Sequence, residues 1–281
     1  MRSRDERLDR SDRLRFSMSD LTVRATYIGG PTALLEIAGL RLLTDPTFDP
    51  GGTEYRTAVY TLRKTDSPAV AADALGKLDA VLLSHDHHFD NLDHAGRELL
   101  SHVPLVLTTP IGAERLGGNA RALVPWESVD IEAADNIRLR VTGTPARHGP
   151  ADGDRGPVTG FLLTRADEPL APSLPAVYIS GDTVWYEGLR EISARADVRI
   201  AVLFLGAASV REVGPAHLTF TANEAVEAAR AFSQAVIVPL HYAGWTHFSE
   251  GRAEIRDAFE MAGMSNRVHW LEPGRATTID A

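Results

Sequence analysis

From residue 84 the chain reads Ser-His-Asp-His-His-Phe-Asp-Asn-Leu-Asp-His, with His85, Asp86, His87, His88 and Asp90 inside six positions. A solvated loop rarely concentrates imidazole in this way. Neutral imidazole and carboxylate are ligands for Zn²⁺, Mn²⁺ or Fe²⁺. Two imidazoles this close in sequence reach one ion when the loop curls around it, and a carboxylate then reaches a second ion or orients a water. The 281-residue chain has ten His and no Cys. Disulfides, thiolate nucleophiles and sulfur-based metal sites are therefore excluded, and any metal must be held by nitrogen and oxygen.

Other apolar runs end in the same residue types. The run 81–84 ends at His85, 139–142 leads through Pro145 to His148, 177–180 ends in Gly181-Asp182, and 236–240 ends at His241. Singly, each has a plainer reading: a His after a strand is usually a hydrogen-bonded loop residue, and Asp182 precedes a helix that it can cap. Taken together they are four distant segments whose strand C-termini would converge on one sheet edge, where ligand sites form in α/β folds.

The elements needed to position them are legible as short apolar runs alternating with helical segments. Strands are predicted at 21–28, 33–37, 40–44, 80–84, 106–109, 137–142, 158–164, 176–180, 200–205, 235–240 and 268–271. Helices are predicted at 91–100, 112–116, 185–194, 221–233 (capped by Thr221 or Thr219) and 250–262. Residues 46–67, with Pro46, Pro50, Gly51 and Gly52, read as a long functional loop. Residues 1–20, where Arg interleaves with Asp and Glu, read as a charged extension, and 21–281 as one α/β domain.

Composition narrows the function further. A net charge of −9 argues against a nucleic-acid partner. No run approaches the ~18 apolar residues of a membrane span. The charged N-terminus has no apolar core of a secretory leader, so a cytoplasmic location is expected. A small-molecule substrate is the expected partner, and a homo-oligomer is left open.

The ordered motifs Thr26-Tyr27-Ile28-Gly29-Gly30-Pro31-Thr32, Leu43-Thr44-Asp45-Pro46, the His85 cluster, Pro145-Ala146-Arg147-His148, Ser180-Gly181-Asp182-Thr183, His217 and Pro239-Leu240-His241 resemble the metallo-β-lactamase fold superfamily. The resemblance is to its branch of ascorbate-6-phosphate lactonase-like and N-acyl-phosphatidylethanolamine phospholipase D-like hydrolases, and covers about residues 21–273. It implies a four-layer αββα sandwich of two mixed β-sheets flanked by helices. It also implies a divalent metal, Zn or Mn with Fe compatible, as one or two ions. His85, His148 and either His87 or His88 would hold the first metal, Asp182 would bridge, and Asp90 and His241 would serve the second.

The cluster departs from the family pattern H-x-H-x-D-H. Counting forward from His85 selects His87 as the second ligand; counting back from Asp90 selects His88. Asn91 occupies the place of the last His, which in the family binds the second metal. That second site is then weak, empty, or rescued by the spare His of the pair or by His94. Asp90 is expected to orient the nucleophile or take its proton, and His217 to face the substrate, with a structural place at the start of a helix as its alternative. The implied reaction is attack of a metal-bound hydroxide on a lactone, ester or phosphodiester. The alternative is a non-catalytic metal- or ligand-binding protein on the same scaffold. Aromatics in 48–60 and 242–248 are candidate substrate walls or lids. Asp152 and Asp154 read as turn formers in a loop.

Overall fold

The computed structural model describes residues 22–133 and 137–280; the charged extension 1–20 lies outside them. The chain opens with a meander of β1 (Thr22–Gly29), β2 (Thr32–Ile37) and β3 (Leu40–Thr44). There follow β4 (Glu54–Arg56), β5 (Thr61–Arg63), β6 (Ala80–Leu82), α1 (His94–Leu100), β7 (Val106–Thr108), α2 (Pro110–Leu116) and β8 (Ala120–Ala122). The second half holds β9 (Ser128–Glu132), β10 (Arg138–Thr144), β11 (Gly160–Arg165), β12 (Pro175–Ile179), α3 (Arg190–Arg195), β13 (Asp197–Phe204), α4 (Ala222–Ala231), β14 (Val236–Leu240), α5 (Arg252–Met261) and β15 (Ala276–Asp280).

Among the described residues these strands form a seven-stranded sheet, β15-β1-β2-β3-β6-β7-β8, and a six-stranded sheet, β14-β13-β12-β11-β10-β9. Both sheets are mixed: β3, β6, β7 and β8 run parallel, as do β12, β13 and β14, and the remaining pairs are antiparallel. β4 and β5 pair as a small hairpin inside the expected irregular loop. The expected strand 268–271 makes only a single bridge, Ile237 to Val268, and the last strand is β15.

Strand alternation explains the layering. On β13, Ile200, Val202 and Phe204 face the other sheet, where Leu42 and Leu82 lie. Ala201 and Leu203 face Ala225, Ala229, Ile255 and Phe259 of α4 and α5. Leu100 of α1 packs with Val81 and Val106 on the outer face of the first sheet. The result is the expected αββα sandwich. Among the described residues no helix is long and apolar enough to cross a membrane.

One buried charge ties the long loop to this frame. Asp93 caps α1 by accepting from Gly96 N at 2.8 Å, and also accepts from Phe48 N, Asp49 N and Lys64 Nζ at 2.9, 2.7 and 2.9 Å. The Lys64 and Asp93 side chains are only 4% and 0% exposed. Breaking such a pair strands a charge in a dry interior, which costs about 3–5 kcal/mol. Asp93→Asn is therefore expected to lower stability in urea-induced unfolding by about that amount. Adding Lys64→Met to that variant should recover part of the loss, because it removes the stranded ammonium.

Candidate metal centre

The strand ends do converge. β12 and β14 run parallel in one sheet, and β10 shares their direction through antiparallel β11. His148, Asp182 and His241 therefore leave the same edge, and His85 arrives from β6 of the facing sheet. Three local features fix the approach. Asp45, fully buried, accepts from Ser84 N at 2.7 Å and holds the chain just before His85. Burial, then the nearby Asp182 charge, raises the Asp45 pKa well above the usual carboxylate range. Gly181 has φ +57°, and a Cβ there would lie 2.6 Å from Ser84 Cβ, so only glycine lets the two sheets' loops meet beside Asp182. His241 has φ 56°, a strained conformation for a non-glycine residue, held by its N–H donating to Gly30 O at 2.9 Å.

Proton counting identifies what the imidazoles are arranged to do. His148 Nδ1 donates to Leu218 O at 2.9 Å, which leaves Nε2 bare when the ring is neutral. His88 Nδ1 lies 3.0 Å from both His148 Nε2 and His85 Nε2. A single proton on Nδ1 can satisfy only one of them, so hydrogen bonding does not account for the arrangement; nitrogen lone pairs turned toward a common point do. Tetrahedral zinc, with Zn–N near 2.0–2.1 Å, places neighbouring donor atoms about 3.3 Å apart. Burial and then the neighbouring rings His148 and His87 push His88 down to about 3. Burial, His88, His148 and His87 likewise push His85 well below its usual value. Both rings are neutral at physiological pH, the state in which imidazole binds metal.

His87 stands beside this arrangement. Its Nε2 donates to Arg155 O at 3.0 Å, and its Nδ1 is buried without a partner. The nitrogens of His85, His87 and His88 are close enough to form a group of their own, but the contact to His148 is made by His88.

Asp182 links the imidazoles to the carboxylate side. Its Oδ2 has no hydrogen-bond partner and lies 3.8 Å from His148 Nε2. Its Oδ1 accepts from Asn91 Nδ2 at 3.1 Å. Ligand atoms of Asp90, Asp182 and His241 lie within 4.8 Å of one another. His241 Nδ1 is 3.0 Å from Asp182 Oδ1 and its Nε2 3.5 Å from Asp90 Oδ2, yet neither nitrogen makes a hydrogen bond. Burial opposes charge on His241, but the carboxylates of Asp182 and Asp90 outweigh it and raise the ring to about 10. Burial also opposes ionisation of Asp90, but His247 and His241 beside it hold its pKa well below the usual range. The donor set fits a divalent cation: neutral imidazoles at His85 and His88, ionised carboxylates, and buried atoms that no protein group satisfies.

A small cavity of about 90 Å³ opens onto His88, Asp90, His148 and His247. Its wall is mainly apolar, from Tyr60, Leu62, Ala208, Val210, Val213 and Leu218, with Arg155 as its cation. Of the expected aromatics, Tyr60 lines this cavity, whereas Phe48, Tyr55 and Trp245 are packed into the core. Sequence reasoning missed His247, whose Nε2 donates to Asp90 Oδ2 at 2.9 Å. A second His six residues beyond His241 was its only signal. His94 is not at the site; its ring packs against Tyr55 and Phe89. Nor is His217, which is 40% exposed, does not line the cavity, and has Nε2 3.1 Å from Glu224 Oε2. Glu224 also accepts from Thr221 N in the capping box of α4, so the ring belongs to the start of that helix. Asp154 accepts from Gly156 N, as a turn former does.

A profile of the Beta-lactamase superfamily domain matches residues 40–242. A protein of the archaeon Ignicoccus hospitalis, named UPF0173 metal-dependent hydrolase, is 26% identical over 92% of this chain and 99% of its own length. Two crystal structures share the fold at a TM-score of 0.75, each covering 92% of this chain and 100% of its own. One is an isothiocyanate hydrolase from Delia radicum gut bacteria, 24% identical. The other is a possible metal-dependent hydrolase from Veillonella parvula, 21% identical.

The place of His217 has a measurable consequence. Its hydrogen bond to Glu224 raises its pKa above the ordinary 6.5. The stabilisation is then fully present below the unfolded-state pKa and is lost as pH rises through the higher folded-state value. His217→Gln is expected to cost up to about 1 kcal/mol at pH 6 and less at pH 9, since a half-exposed pair is screened by solvent. Metal content should not change. Thermal melts at the two pH values, with metal analysis, check this.

Proposed function

The chain belongs to the Beta-lactamase superfamily domain family, and on that premise we propose how it works as a metal-dependent hydrolase. His85, His88, His148 and Asp182 hold a divalent cation, zinc or manganese, with iron compatible with the same donors. The observation that carries this is the meeting of His85, His88 and His148 nitrogens, whose lone pairs no single proton can satisfy. When bound, the cation lowers the pKa of water toward ~7 and polarises a carbonyl or phosphoryl oxygen.

The remaining work falls to the protein. Asp90, ionised and lining the cavity, orients the attacking water. His247 donates to Asp90 Oδ2 and keeps the carboxylate facing its task. The apolar wall excludes bulk water and admits a small substrate. His217 has no part in the reaction. The substrate is a small lactone, ester or phosphodiester, and the isothiocyanate group, a comparable carbon electrophile, joins them because a protein of the same fold hydrolyses it. Asn91, in the place of a ligand His, favours a second reading, a protein that binds metal without turnover.

A panel of small lactones, carboxylic esters, phosphodiesters and isothiocyanates, assayed with Zn²⁺ and Mn²⁺, separates the two. Turnover is expected on at least one class, falling about 10²–10⁴-fold in Asp90→Asn. His85→Ala and His148→Ala should lose metal by elemental analysis. Full metal content in both variants would show the ligand assignment to be wrong, and tight metal binding with no turnover would favour the binding protein.

A further inference from the structure

The two halves of the polar cluster differ in what holds them. On one side, His85 Nε2, His88 Nδ1 and His148 Nε2 converge at 3.0 Å contacts, and Asp182 Oδ2 faces His148 with no partner. That side offers three nitrogens and an oxygen, and zinc can take a water as a fifth ligand. On the other side, each carboxylate already accepts a hydrogen bond. Asp182 Oδ1 takes the Asn91 amide N–H at 3.1 Å, and Asp90 Oδ2 takes His247 Nε2 at 2.9 Å. Both donors belong to buried side chains: Asn91 is 0% exposed and the His247 side chain 8%.

Each donor takes up one oxygen of a carboxylate on that side. Turned with its N–H toward Asp182, Asn91 presents a positive group where a ligand would present a lone pair. Its amide oxygen is, besides, a weaker ligand than imidazole for zinc. His247 Nε2 lies 2.9 Å from Asp90 Oδ2 within hydrogen-bond geometry, so this nitrogen is already engaged by the carboxylate. His241, by contrast, touches both carboxylates without bonding to either. The second position is thus left with Asp90, Asp182 and His241, one ligand fewer than the imidazole side offers, and both of its carboxylates already accept a hydrogen bond.

We propose that this chain is a one-cation protein: His85, His88, His148 and Asp182 retain a single divalent ion, and Asn91 with His247 convert the neighbouring position into a hydrogen-bonded cradle for Asp90 and Asp182. The proposal rests on the reading that the imidazole side holds a metal. It changes the division of labour, because Asp90 is then oriented by His247 and His241 and not by a second ion.

Zinc stoichiometry of the full-length chain tests it without any activity assay. Chelator-stripped protein is titrated with Zn²⁺ by calorimetry, and retained zinc is measured after gel filtration. Cobalt titration, followed by visible absorption, gives an independent count. One equivalent should be retained, with any second binding at least about 100-fold weaker. His247→Ala should keep that equivalent, and Asn91→His should gain a second; Asn91→Asp serves if the imidazole is not accommodated. Two tightly held equivalents in the unaltered chain overturn the proposal, whether or not either variant folds. So does loss of the retained zinc in His247→Ala, which would make His247 a ligand. A chain that retains no zinc overturns instead the reading beneath it.

Discussion

Two carboxylates, Asp90 and Asp182, lie buried where the ends of the two sheets meet, and a carboxylate out of water must be given positive charge or donors. Most of the surrounding arrangement answers that demand. His241 lies between them and is driven toward its charged form. Asn91 donates to one and His247 to the other. The free oxygen of Asp182 turns toward the imidazoles, where a cation would complete the balance. A third buried carboxyl, Asp45, meets the same constraint in the opposite way. Having Asp182 as a like-charged neighbour and no cationic side chain bonded to it, it is pushed toward the neutral acid and serves to fix Ser84.

The frame that carries these charges is rigid where it must be. Parallel β12, β13 and β14 present successive chain ends on one edge, and strained backbone follows strand ends on both sheets, at His241 after β14 and at Asp45, with φ 21°, after β3. Other ionic contacts keep the loops in place from outside the cluster. Asp86, in the middle of the His-rich segment, is bound by Arg115 Nε at 2.8 Å, and Arg97 donates to its carbonyl. Asp86 is therefore a brace for the loop. The histidines on either side can then be aimed without depending on a metal to fold the segment.

Much of this is legible in the sequence, and what is not has identifiable causes. Strands such as 200–205 were readable because both faces are buried and the run is continuously apolar. β8 and the β4–β5 hairpin were not, since three-residue strands such as Glu54–Arg56, with only Tyr55 buried, carry too short a pattern. The run 268–271 reads like a strand but makes one bridge only, Ile237 to Val268. The His-rich segment was recognisable from density alone. The register between His87 and His88 was not, because it is decided by ring direction, and that direction is set by Arg155 O, 68 residues away in the chain. His217 looked functional for its position before a helix, and its partner Glu224, inside that helix, is what removes it from the site.

Chemistry and selectivity are carried by different parts of the chain. The proposed ligands lie in the segments that follow strand ends, whose positions are fixed by sheet register and by the core between the sheets. The cavity wall comes from Tyr60 and Leu62 in the hairpin region and from Ala208 to Leu218 between β13 and α4. These wall segments can change in shape and polarity without moving a ligand nitrogen, since they pack on the site from outside the strands that hold it. One contact breaks that independence: Leu218 presents its side chain to the cavity and its carbonyl to His148 Nδ1. A change of backbone at 218 would alter the wall and release the tautomer of His148 together. The main chain of this loop is therefore tied to His148, and under the proposed function substrate choice would rest on the side chains it carries.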